Sequence, residues 1–165
     1  MVPQFHVVGK LHHIPSSDSI SLAPKAGKQF WENERLQINE TVNPNVYFGI
    51  TKSINPIDWS SEYLTSLQVK NFKSIPPGFT NYTFETSLCA RFRYIGQHHY
   101  YDINRTAAAA MYEAMWKFAK DEYEPKVRAK YALQADRVFF EKIDISLYDG
   151  NYCQMEWFSP VLEKK

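Results

Sequence analysis

Long apolar runs are missing: no stretch approaches the roughly 18 residues that a membrane-spanning helix needs. The opening Met1-Val2-Pro3-Gln4-Phe5 lacks a basic segment followed by an apolar one, the pattern of an export signal, so the cytoplasm is the expected compartment. Cysteine is scarce. Cys89 and Cys153 each sit inside a strand-like run, and in a reducing compartment both are expected as buried thiols. An excess of one charge is also absent. The net charge is +1 and the basic residues are scattered, apart from a weak group at Lys126, Arg128 and Lys130 that reads as a solvated loop or helix end. Direct nucleic-acid binding is therefore not expected, because its electrostatic footprint is missing. Metal-ligand spacings such as Cys-x-x-Cys or His-Glu-x-x-His do not occur. His12-His13 and His98-His99 are adjacent pairs whose members point opposite ways on a strand, so no metal site is expected. There is no glycine-rich phosphate loop and no Gly-x-Ser-x-Gly elbow, and no cofactor is expected.

What the chain does have is aromatic surface. Phe, Trp and Tyr make up 16% of its 165 residues, and tyrosine, with its apolar body and polar tip, lines pockets as readily as it fills cores. The length suits one well-buried domain, 1–165, and is short for two. Along the chain the patterning predicts a strand over Phe5–Gly9, a Ser- and Asp-rich loop from Pro15 to Pro24, and a helix over Lys28–Asn39. Strands over Val46–Thr51 and Tyr63–Val69 follow. Ile75-Pro76-Pro77-Gly78 then divides the chain into two portions of similar size. Beyond it lie strands over Phe79–Thr86 and Leu88–Ile95, and an alanine-rich helix from about Ala107 to Tyr123 containing Trp116. Arg137–Ile145 and Tyr152–Phe158 are strands joined through Asp149-Gly150-Asn151. Each portion reads strand, helix, strand, strand, as pseudo-repeats of about 5–72 and 79–160. The expected fold class is α+β: an antiparallel sheet with two helices packed on it and a ligand groove between the halves.

Four segments, in this order and spacing, resemble the GyrI-like family, the effector-binding domain of bacterial multidrug-responsive regulators. Val46-Tyr47-Phe48-Gly49-Ile50 is similar to its aromatic-aromatic-Gly-Ile strand. Ile75-Pro76-Pro77-Gly78-Phe79 with Thr83 to Gly96 is similar to its Pro-x-Gly-Phe turn and central strand. Tyr112-Glu113-Ala114-Met115-Trp116 resembles its second helix, and Phe140-Glu141 with Ser159-Pro160 its closing hairpin. Phe158-Ser159-Pro160-Val161 stands where the family often has Ile-Pro-Ile, which leaves the register of the last hairpin open. With no helix-turn-helix before Phe5, the expectation is a stand-alone effector binder.

Glu141 is reached from the residues as well as from the resemblance. Period-two geometry puts it on one strand face with Phe139 and Ile143. A carboxylate between apolar neighbours lies either at a solvated edge or in a pocket, where it costs several kcal/mol unless a cation or a proton joins it. The resemblance implies that this glutamate recognises a cation. Aromatic walls are the second requirement, since a cation over a Tyr or Trp face gains roughly 0.5–2 kcal/mol. Tyr47, Tyr63, Tyr94, Phe139 and Trp157 are the candidates, each with the sheet core as its alternative place, and Glu156 replaces Glu141 if the register slips by one. The expected function is binding of small hydrophobic, cationic, aromatic compounds. The resemblance also implies two alternatives, a hydrolase of electrophilic small molecules in which Glu141 is catalytic, and a protein inhibitor of the gyrase-inhibitor type. A small molecule is the expected partner, and a second copy of the chain and a separate regulatory protein stay open.

Overall fold

Apolar side chains alternating with polar ones form strands wherever one sheet face is buried, and among the described residues they build eight. The computed structural model describes residues 1–15, 19–55, 57–58, 60–96, 117, 130–134, 138–148 and 152–164. Its strands are β1 (Phe5–Ile14), β2 (Val46–Ile54), β3 (Ser61–Val69), β4 (Thr80–Phe84), β5 (Cys89–Gly96), β6 (Tyr131–Leu133), β7 (Phe139–Asp144) and β8 (Cys153–Glu163). All pair antiparallel in the order β4-β1-β3-β2-β7-β8-β5, and β6 pairs with β8. Outward from the β2–β7 seam each half repeats one order: β2, β3, β1 on one side and β7, β8, β5 on the other. The duplicated arrangement expected from the sequence is present in the sheet.

The first helix differs from its expected range. Helix α1 spans Ser19–Gln29 with Pro24 inside it, and runs on through a π turn at Phe30–Glu34 and a 3₁₀ turn at Arg35–Gln37. Most of the segment read as a Ser- and Asp-rich loop is therefore helical. Proline's fixed φ is compatible with a helix, and only its missing N–H and its ring disturb the preceding turn. Ala26, Phe30 and Trp31 are buried, and that packing outweighs the local composition. The wider π turn lets the consecutive Phe30 and Trp31 both reach the core.

Strand β8 continues beyond Phe158 because partners continue. The Val161 amide donates to the Leu88 carbonyl at 2.9 Å, and β6 pairs alongside from Val161 to Glu163. Apart from Lys117, the expected helix over 107–123, with Trp116, lies outside the described residues, as do His98-His99 and Asp149-Gly150-Asn151. No helix among the described residues is long and apolar enough to cross a membrane.

The sheet is curled, and chain length requires it. Laid flat, β4 and β5 would stand six strand spacings apart, about 29 Å. The four residues that join them stretch the chain from Phe84 to Cys89 by about 18 Å at most. The ends of the sheet therefore bend toward each other, and an isolated bridge between Val2 and Ser87 ties this region. Inside the curl pack Phe5, Phe48, Phe84 and Phe140, with Phe140 stacked on Phe158 at 4.7 Å and 12°. On the outer face Val8, Leu67, Tyr47, Ile143, Met155 and Trp157 meet Phe30, Trp31 and Ile38 from the helical segment.

Candidate functional site

Register decides which side chains share the outer face. Glu141 pairs with Gly49 on one side and Trp157 on the other. One step along, Phe139 pairs with Thr51, Thr51 with Tyr63, and Tyr63 with His12. Tyr47 pairs with Ile143 and Leu67. The structure thus brings Tyr47, Tyr63, Phe139, Glu141 and Trp157 together across β3, β2, β7 and β8. The four aromatic side chains are buried and Glu141 is half-buried.

Within this group Phe139 and Trp157 stack, with ring centroids 5.1 Å apart and planes at 22°. The Tyr63 hydroxyl donates to Glu141 Oε1. The hydroxyls of Tyr47 and Tyr63 are 2.7 Å apart. Each phenol carries one proton, and that of Tyr63 is committed to Glu141, so Tyr47 donates to Tyr63. Burial, reinforced by the nearby Glu141 carboxylate, pushes both phenols well above their ordinary value, keeping them protonated donors at neutral pH. A relay of aligned O–H dipoles therefore ends on Glu141, favouring its ionised form.

Gly49 makes this relay possible. A Cβ at Gly49 would collide with the Tyr63 hydroxyl and Glu141 Oε1, and would sit 2.8 Å from Glu141 Cγ. Sequence reasoning did not place Gly49 among the site residues, although the glycine inside a run of strand formers was its signal. In the row next to Tyr63, fully buried Thr65 donates to the Lys10 carbonyl at 3.3 Å, so the His12 Nε2–H donates to Thr65 Oγ1 at 3.2 Å. Burial lowers the His12 pKa, against the opposing pull of Glu34 and with the help of Lys10.

Two candidates lie apart. Tyr94 on β5 pairs with Met155 and is half-buried at the edge of the outer-face core, two strands from Glu141. Glu156 points to the inner face. Its Oε1 lies 3.4 Å from Arg91 Nη1 and 3.2 Å from Arg93 Nη2, and its strand partner on β7 is Lys142.

This architecture recurs in solved structures. SAV2435 bound to tetraphenylphosphonium superposes with a TM-score of 0.64 over 98% of this chain and 90% of its own, at 14% identity. An integron cassette protein from the Vibrio cholerae mobile metagenome gives 0.62 over 98% and 92%, at 11% identity. The EcmrR C-terminal domain gives 0.58 over 99% and 94%, at 16% identity. The fold is GyrI-like. No family model and no curated protein matches the chain by sequence, so the likeness is carried by the GyrI-like topology and not by residue identity.

Proposed function

We infer that the chain binds small hydrophobic aromatic cations on the outer face, with Glu141 as the charge partner and Phe139, Trp157, Tyr47 and Tyr63 as the aromatic surroundings. The observation that carries this reading is the Tyr47–Tyr63–Glu141 relay beside the stacked Phe139–Trp157 pair. In a half-apolar setting, a carboxylate that accepts the Tyr63 hydrogen bond gains most from a soft, weakly hydrated cation, and the ring faces add cation–π attraction. The tetraphenylphosphonium of SAV2435 is a compound of this class. Sensing or sequestration of such compounds in the cytoplasm is the corresponding role, with Tyr94 at the margin of the site.

The test is calorimetric titration with tetraphenylphosphonium, using triphenylphosphine oxide as the uncharged comparison. Wild type should prefer the cation. Glu141→Gln should weaken cation binding about tenfold or more, the loss of one close charge pair. Glu156→Gln, on the other face, should bind as wild type does. Equal binding by Glu141→Gln, or loss in Glu156→Gln alone, would overturn the assignment. A hydrolase built on the same Tyr63–Glu141 pair would convert an electrophilic compound, whereas a binder returns it intact.

A further inference from the structure

A cavity lies behind the outer-face residues, on the inner face of the same strands. It has a volume of about 450 Å³, and its apolar lining includes Phe5, Phe48, Phe140 and Phe158. That volume lies within the usual range of small-molecule sites, about 300–1,000 Å³. Strand alternation sets the two sites back to back: Phe140 faces inward where Glu141 faces outward, and Phe48 and Phe158 do so beside Gly49 and Trp157.

The polar side chains of the lining differ in whether they are already engaged. Lys142 and Gln68 are both half-buried at the cavity, and among the described residues neither the Lys142 ammonium nor the Gln68 carboxamide has a hydrogen-bond or ion-pair partner. Asp144, also in the lining, is engaged: its Oδ1 accepts from the Ser146 amide at 3.1 Å and from the Ser146 hydroxyl at 2.5 Å. On the inward faces of β5, β7 and β8 the charged residues are Arg91, Arg93 and Lys142 against Glu156 and Asp144, and both arginines are taken up by Glu156. Among the described residues of these three inward faces, Lys142 is the cation without an ion-pair partner.

We propose that this inner-face cavity is a second ligand site, which takes an amphipathic monocarboxylate of phenylalkanoate size. Its ring lies on the phenylalanine floor and its carboxylate meets Lys142 and Gln68. A single negative charge fits best, because Asp144 at the same mouth repels a dianion. The site is independent of the cation site and has the opposite charge preference.

Ligand-observed NMR titration with 4-phenylbutyrate, 4-phenylbutanamide and 4-phenylbutylamine tests it. The carboxylate should bind, with the amide and amine at least about tenfold weaker, since each forfeits a charge-assisted hydrogen bond. Lys142→Gln should weaken 4-phenylbutyrate by about the same factor, Lys142→Arg should largely restore it, and Glu141→Gln should leave it unchanged. Lys142 is only half-buried, so these variants fold, and thermal melts check that they do. No binding of 4-phenylbutyrate, equal binding of its amide, or a loss caused by Glu141→Gln in place of Lys142→Gln would each overturn the proposal. None of those outcomes bears on cation binding at Glu141, which the tetraphenylphosphonium titration reads separately.

Discussion

At the scale of single residues, the relay from Tyr47 through Tyr63 to Glu141 makes two demands that can be measured. Removing its middle hydroxyl, as in Tyr63→Phe, leaves the buried Tyr47 phenol without its acceptor. An orphaned buried donor costs about 1–3 kcal/mol, so the urea midpoint should fall while the m-value stays constant. Proton linkage gives the second demand. Both phenols are raised in the folded chain, so above about pH 10 the unfolded chain releases protons that the folded chain keeps. Their stabilising contribution is complete below that pH and is lost as pH rises toward the folded values. Stability measured between pH 9 and 11 should drop, and less steeply in Tyr63→Phe. His12 acts at the acid end. Its lowered pKa contributes stability above about pH 6.5 that is lost as pH falls below it, and His12→Gln should flatten that limb. Glu141 was legible in the sequence, because a carboxylate between Phe139 and Ile143 on one strand face is conspicuous. Gly49 was not, because its role is to leave room for atoms that arrive from β3 and β7. Gly49→Ala should cost about 1–3 kcal/mol by overpacking and weaken tetraphenylphosphonium binding together with it.

At the scale of elements, α1 is the informative case. Ser19 to Pro24 has the composition of a loop, and the chain coils there because Ala26, Phe30 and Trp31 find a sheet to pack on. Pro24 withholds an N–H from the Ile20 carbonyl and crowds it, a cost of about 3 kcal/mol partly offset by its stiffening of the unfolded chain. Pro24→Ala should therefore stabilise the protein by about 2 kcal/mol, a rise in Tm of about 4–8 °C. A fall in Tm would mean that the proline holds a geometry the sheet requires. Strand β6 carries the complementary lesson. Three residues, Tyr131–Leu133, are too few for a periodic signal, and they form a strand only because β8 offers an edge there.

At the scale of the whole molecule, the proposed outer-face site straddles the β2–β7 seam, so a cation bound as proposed would grip both halves at once. Hydrogen exchange with saturating tetraphenylphosphonium should slow together in Val46–Ile54 and Phe139–Asp144, by up to about 2.7 kcal/mol at a hundredfold excess over Kd. Protection confined to one half would move the ligand off the seam. The sequence by itself determined the strands other than β6, their repeated order in the sheet and the glutamate among aromatics, since each depends on neighbours close in the chain and on a period of two. Only the tertiary structure decided the curl of the sheet, the inward turn of Glu156 toward Arg91 and Arg93, and the meeting of Tyr63 with Glu141, 78 residues apart. Pairing register between distant strands sets those contacts, and one step of register exchanges every inward side chain for an outward one. Local periodicity fixes which residues alternate along a strand, and long-range pairing alone fixes what each of them faces.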